Sequence, residues 1–305
     1  MDHLKVVSKV IEDVVAPSAA RIDENGAFPR LAIEALGKAG LLGLVSAKEV
    51  GGAGQGHRAA ALVVEALAHA CASTAMVVCM HYAAAAVIEA HGSRGRREAI
   101  ARGTHLTTLA FSEVGSRSQF WAPLSTATPY EGKMRLDASK SWVTSAGEAD
   151  SYVWSSRPVA GKGVSTLWFV PRDTPGLSIP TPFNGLGLRG NASSPVTAKA
   201  VLVNAEDRLG PDGGGFDIMM GVVLPILPDD ERGILAGHDG GRHREDRCSC
   251  CGDEVRASRS DPRRPADHAC SHRPHAGQGR HGPRASAGCS GGAREWARGC
   301  DVEDS

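Results

Sequence analysis

The stretch LTTLAFSEVGSRSQ, residues 106–119, is where the texture of the chain changes. Before it the sequence is Ala-rich and helical in rhythm. With it begins a series of short β-branched and aromatic runs: LTTLAFSE, KMRLDASKSWVTSA, SYVWSSRPV, STLWFVP and KAVLVNAEDRL. Turn signals such as TPYEGK, AGKG and DTPG separate them. Runs of this length, bounded by Gly, Pro and Asp, predict the strands of a small antiparallel barrel or sandwich.

Outward from that point the upstream half reads as helices. In IEDVVAPSAARI, Ile11, Val14, Val15 and Ile22 recur at helical intervals. In FPRLAIEALGKAGLLGL, Pro29 stands early and Gly40 and Gly43 stand near the end, as helix punctuation expects. The loop EVGGAGQG follows at 49–56. Then ALVVEALAHACASTAMVVCMHYAAAAVIEAHG predicts two Ala-rich helices that part near Ser73 and Thr74. The apolar region from Ala59 to Ala90 is interrupted by Glu65, His69, His81 and Glu89, which points to packed helices rather than a membrane span. His69 and His81 read as packed or partly exposed side chains, not ligands. Cys71 and Cys79 read as small buried thiols. Downstream of the strands, GGGFDIMMGVVLPI at 213–226 reads as the first turns of another helix.

The averages bound the function. The 305 residues allow two or three domains. Lys plus Arg, 34, equals Asp plus Glu, 34, so charge offers no drive toward nucleic acid or an anionic membrane. The start, MDHLKVVSKVIEDVV, lacks the pattern of a secretory signal, and the expected location is the cytoplasm. Every Lys lies at or before Lys199, and beyond Ala236 the large apolar residues are only Val255, Trp296 and Val302. A segment so poor in apolar side chains buries too little area to offset the entropy of ordering it. Its cysteines, Cys248, Cys250 and Cys251, form C-x-C-C, which fits no common zinc knuckle. Residues 227–305 are therefore expected to be a disordered tail and not a metal site.

Four strings in order carry a family resemblance. LAFSEVGSRSQ (109–119) is similar to the flavin-site motif of the acyl-CoA dehydrogenases, a Thr-Glu-Pro followed by Gly-x-Gly-Ser-Asp. KSWVTSAG (140–147) is similar to their Lys-x-Trp-Ile-Thr-Asn-Gly strand. TPGLSI with GLGLRGNASS (174–179, 185–194) is similar to the segment leading to their Gly-x-Arg-x-Ser turn. VGGAG (50–54) is similar to the glycine loop of their N-terminal domain. Read alone, Ser112 and Ser118 are turn residues, Trp142 and Thr144 are strand residues, and Gly51, Gly52 and Gly54 are a loop with no strand leading into it, unlike a dinucleotide fingerprint.

The resemblance implies an α+β multidomain chain. It has a helical domain (1–108), a central antiparallel β-barrel domain (109–212), the start of a C-terminal helical domain (213–226), and the tail in place of the rest. The G/C-biased codon usage implied by the tail is that of a GC-rich gene read out of frame. Read one base forward after Ile226, it permits a helical apolar rhythm like that of the missing domain. The resemblance also implies FAD, held by Phe111, Ser112, Ser118, Trp142 and Thr144. Ser112 would face the pyrimidine edge, Trp142 would wall the ring, and Thr144 would donate near N5. Ser118 would face the pyrophosphate or the substrate. The implied reaction is α,β-dehydrogenation of an acyl-CoA thioester in fatty acid metabolism. Electrons would pass to an electron-transfer flavoprotein or similar acceptor, in a homo-oligomer that the missing domain puts in question. The catalytic Glu of the family has no counterpart in the frame as written, and Glu113 belongs to the flavin motif. A non-catalytic remnant, or a monooxygenase or nitroalkane oxidase relative, are the alternatives. The departures from the family pattern are Ser112 for Thr, Val114 for Pro, Arg117 for Gly, Gln119 for Asp, and Ser145-Ala146 for Asn-Gly.

Overall fold

The computed structural model describes residues 2–117, 119–180 and 182–227. Met1, Ser118, Thr181 and residues 228–305 lie outside them, and with the last the cysteine run and the out-of-frame reading.

The chain starts with α1 (His3–Val10), capped by the Asp2 side chain, which accepts from the Lys5 amide at 3.4 Å. A π turn at Ile11–Val15 separates it from α2 (Ala16–Asn25). Pro17 explains the interruption, because it has no N–H to continue the ladder. Val15 and Ile22 from the predicted stripe are buried. Next come α3 (Arg30–Lys38), α4 (His57–Ala68), α5 (Ala72–His91) and α6 (Arg94–Ala101).

The two Ala-rich helices part at 69–71, earlier than expected. Ser73 and Thr74 sit in the first turn of α5, where short polar side chains are tolerated, and Cys71 is the extended residue at its start. Helix α5 is apolar all round because it is the central post of the helical core. Ala83, Ala84 and Ala85 are buried, and small side chains let its neighbours approach.

The β domain has two four-stranded sheets. One runs β1 (Thr107–Ala110), β4 (Ser151–Ser156), β5 (Thr166–Pro171), β8 (Arg208–Leu209). The other runs β2 (Thr126–Tyr130), β3 (Lys133–Val143), β7 (Ser194–Val203), β6 (Leu177–Ser178). Two details depart from a plain antiparallel barrel. Strand β1 lies parallel to β4, since the chain crosses into the second sheet through β2 and β3 before returning. The sheets also join at a corner, where Glu113 bridges Lys140 and the Ser141 amide donates to the Ser112 carbonyl at 2.9 Å.

The side-chain alternation shows why β4 and β5 are buried throughout. Tyr152, Trp154, Trp168 and Val170 face the second sheet, whereas Val153, Leu167 and Phe169 join the helical core. The first sheet is thus a middle layer between helices and second sheet. Strand β3, with one face in solvent, shows an alternating burial pattern over its first half. After β8, α7 (Gly215–Ile218) and a π turn (Met219–Val223) return to the helical core through Ile218, Met219 and Val223, the helix start expected at 213–226.

His81 pins the two domains together. It is fully buried on α5, its Nε2 lies 3.0 Å from the Leu42 carbonyl, and its Nδ1 accepts from the Thr107 amide at 3.2 Å. A carbonyl at one nitrogen and an N–H at the other assign the neutral tautomer with the proton on Nε2. Burial pulls its pKa down to about 4, against the opposing pull of the Leu42 carbonyl.

Candidate flavin site

Two of the four motifs, 109–119 and 140–147, meet where α5, the end of β1, the end of β3 and the last described residues come together. They form a cleft of about 340 Å³ lined by Met80, Leu109, Phe111, Ser112, Phe120, Trp142, Thr144, Leu224 and Leu227. Four of the five expected flavin residues, Phe111, Ser112, Trp142 and Thr144, line it. The fifth, Ser118, lies outside the described residues.

Local backbone chemistry places them. Phe111 and Ser112 follow β1 directly, and Ser112 is held by the Ser141 amide. Trp142 lies near the end of β3, and Thr144 follows that strand. The turn after Thr144 is tied to the GLGLRGNASS segment: the Ser145 amide donates to the Asn191 carbonyl at 2.9 Å and the Ala146 amide to the Ala192 carbonyl at 3.1 Å. That segment docks on the helices in turn, where the Gly190 amide donates to the Ser73 hydroxyl at 3.2 Å. The Thr144 and Ser193 hydroxyls are 3.4 Å apart.

Trp142 is set apart from the core tryptophans. Trp154 and Trp168 are 1% exposed, whereas Trp142 is 67% exposed and packs on Phe183 with ring centroids 4.3 Å apart. An exposed indole beside an apolar cleft whose polar side chains are two hydroxyls is a wall for a flat ring with a polar edge. An isoalloxazine has that shape and polarity, so the residues present fit FAD.

Sequence reading missed Met80, Leu109, Phe120, Leu224 and Leu227 as lining residues. They are ordinary apolar positions, and only the fold brings them together. Trp142's partner Phe183 lies 41 residues away in the chain, with no periodicity to betray the contact.

The fourth motif goes elsewhere. In the VGGAG loop the Gly52, Ala53 and Gly54 amides donate within the chain, to Ala47, Gly43 and Ser46 carbonyls. A Cβ on Gly52 would stand 2.2 Å from the Ser46 carbonyl oxygen, so this glycine serves backbone approach and not a phosphate.

Glu113 turns away from the cleft. Its carboxylate is paired with Lys140 at 2.6 Å, and it accepts from the Leu124 and Ser125 amides and the Ser125 hydroxyl. Burial acts to raise its pKa; the Lys140 charge and these donors outweigh it and hold the group below its ordinary value. It is an ionised, fully engaged acceptor.

Beyond Glu113 the loop opens a second, larger cleft of about 820 Å³. It is lined by Ser116, Arg117 and Gln119 on one side and Arg157 to Ala160 on the other. Asp212 shapes the far wall. It accepts from the Val159, Ala160 and Gly161 amides at 3.0, 2.8 and 2.6 Å and from the Thr166 hydroxyl at 2.6 Å. Burial works against it, yet these four donors hold its carboxyl well below the usual carboxylate range.

Arg117 sits at φ 54°, in the left-handed region. Glycine adopts that conformation without strain. Arg117→Gly is expected to raise stability by up to about 1 kcal/mol, read as a higher Tm. An unchanged or lower Tm would mean the Arg117 side chain makes a compensating contact.

Residues 3–103 match the family model "Acyl-CoA dehydrogenase, N-terminal domain", and residues 108–201 match "Acyl-CoA dehydrogenase, middle domain". Human mitochondrial short-chain specific acyl-CoA dehydrogenase is 30% identical over 217 residues, covering 68% of this chain and 52% of that protein. Cyclohex-1-ene-1-carbonyl-CoA dehydrogenase of Syntrophus aciditrophicus is 31% identical over 228 residues, covering 72% and 55%. The solved structure of butyryl-CoA dehydrogenase from Megasphaera elsdenii superposes with a TM-score of 0.69 at 24% identity, covering 77% of this chain and 63% of that one. The chain spans about half the length of the curated relatives it matches. With both domain models matched in order along the chain, it belongs to the acyl-CoA dehydrogenase family, of which it carries the N-terminal and middle domains.

Proposed function

We propose that the cleft holds the isoalloxazine of FAD and that the chain serves α,β-dehydrogenation of an acyl-CoA thioester in fatty acid metabolism, in the cytoplasm. The observation that carries this is Trp142, an exposed indole at the mouth of an apolar cleft that also presents the Ser112 and Thr144 hydroxyls.

FAD, when bound, supplies the hydride acceptor. Trp142 and Phe111 would exclude water from one side of the ring. Ser112 would hydrogen-bond the polar edge, and the Thr144 hydroxyl would donate where negative charge develops. The larger cleft, between Arg117 and Arg157, suits the anionic end of the CoA, and a flavoprotein acceptor would then take the electrons.

The α-proton needs a base, and the described residues lining the cleft include no carboxylate. That observation favours a second reading, a remnant that binds the cofactor without turning over. It also keeps open the relatives on this fold that use flavin for oxygenation or nitroalkane oxidation.

Short-, medium- and long-chain acyl-CoA thioesters, mixed with the full chain, FAD and a dye acceptor, separate these readings. Dehydrogenation predicts dye reduction that requires both thioester and FAD, with formation of the 2-enoyl product. In Thr144→Val the rate should fall by about a hundred- to a thousandfold, the scale of losing one donor at developing charge. Binding of FAD with no enoyl product would overturn the catalytic reading and leave the remnant.

A further inference from the structure

Glu113 and Lys140 take no part in the chemistry above, yet they stand between the residues that do. Phe111 and Ser112 immediately precede Glu113, and Trp142 and Thr144 closely follow Lys140. The pair is the seam where the two sheets meet. Both side chains are almost wholly buried, at 0% and 3% exposure for Lys140 and Glu113.

Their bonds reach four separate segments. Lys140 Nζ donates to Glu113 Oε1 at 2.6 Å, to the Ser155 carbonyl at 2.7 Å, to the Ser155 hydroxyl at 2.9 Å and to the Phe111 carbonyl at 3.4 Å. Glu113 Oε2 takes the Leu124 and Ser125 amides at 2.7 and 2.9 Å, and Oε1 also takes the Ser125 hydroxyl at 2.5 Å. The Trp154 ring lies 5.1 Å from the ammonium. Both ends of the loop that carries Arg117 and Phe120 are therefore fixed to one node, together with β3 and β4.

Buried ion pairs are poor devices for stability alone, because apolar side chains of equal volume often serve as well. What a directional charged node supplies is register. A flavin ring bound by hydroxyls from two different strands requires those strands to hold their relative position to within a fraction of an ångström.

We infer that Glu113–Lys140 is a positioning pair for the flavin site: it sets the placement of Ser112 on one strand end against Trp142 and Thr144 on the other, and anchors the intervening loop. This rests on the reading of the cleft as a flavin site.

The test uses the full chain and measures FAD affinity beside thermal unfolding. Ser125→Ala removes the hydroxyl's bonds to Glu113 and to the Ser155 carbonyl, and Ser155→Ala removes its bonds to Lys140 and to the Phe111 carbonyl, in both cases without unpairing the ions. Glu113→Gln/Lys140→Met removes both charges while keeping their volume. Ile33→Val, in the helical core away from the cleft, is the control that lowers stability alone. The expected result is FAD affinity down about tenfold in each serine variant and further in the double variant, with the control unchanged at similar loss of Tm. Lys140→Arg, which keeps the charge, should bind FAD better than the double variant.

Amide exchange of the protein without FAD supplies a second readout. Peptides covering 111–112 and 142–144 should exchange faster in Ser155→Ala and not in the control. If the variants bind FAD like the wild type and those peptides keep their protection, the pair does not position the site. If the wild type itself binds no FAD, the flavin reading fails instead, and the exchange data alone decide whether the pair holds the two strand ends.

Discussion

Lys140→Met should lower the unfolding free energy by about 3–5 kcal/mol, the cost of leaving one member of a buried ion pair without its partner. Methionine matches lysine closely in length and volume, so no sizeable cavity forms. The loss comes from Glu113, whose charge would remain buried with only the Leu124 and Ser125 donors, and from the Ser155 hydroxyl and the Phe111 and Ser155 carbonyls, which lose the ammonium, although the Ser155 carbonyl keeps the Ser125 hydroxyl. Burial draws the Lys140 pKa down to about 8 while the Glu113 charge holds it up, so the ammonium persists at neutral pH.

The pH dependence gives the sign check. In the wild type the Glu113 pKa lies below its ordinary value, so its contribution is present above that value and is lost as pH falls. In Lys140→Met the supporting charge is gone and burial raises the carboxyl, so the variant's deficit should shrink as acid protonates Glu113. Urea unfolding followed by tryptophan fluorescence at neutral and mildly acidic pH measures both effects. A loss below about 1 kcal/mol would mean the node is dispensable to folding.

Acid should unlock the His81 pin with an effect of similar size. Its folded pKa of about 4 lies well below its ordinary 6.5, so between these values the unfolded chain binds a proton that the folded one refuses. The stability His81 confers is complete above pH 6.5 and declines as pH falls toward 4. At about 1.4 kcal/mol per pKa unit, that is a loss of about 3 kcal/mol from this group. His81→Gln, with an amide to replace both ring contacts, should start less stable at pH 7 and show a flatter decline into acid. Parallel acid curves for the two proteins would show that His81 does not carry the effect.

Much of this architecture could be read from residues. The helical and β halves followed from period and from the spacing of turn residues, because each element's core face is continuous in the chain. The parallel β1–β4 pair could not, since it depends on where the chain crosses between sheets. The parting of the two Ala-rich helices was misplaced because Ser73 and Thr74 punctuate a helix start as readily as a gap. At the cleft, Phe111, Ser112, Trp142 and Thr144 stood in recognisable strings, and the fold brought them together. Phe120, Leu224 and Leu227 had no such string. Lys140 and Glu113 were visible as residues, but their pairing across the sheet seam required the fold.

The most direct test of the flavin site is a titration of the full chain with FAD, followed by visible absorbance and tryptophan fluorescence, beside Trp142→Ala. Loss of one aromatic stacking surface is worth about 1–3 kcal/mol in comparable planar-ring sites. The account predicts saturable binding of one FAD per chain and an affinity about tenfold or more weaker in the variant, with little change in Tm because Trp142 is exposed. A folded wild-type chain that binds no FAD, or binds it equally well without Trp142, would contradict it.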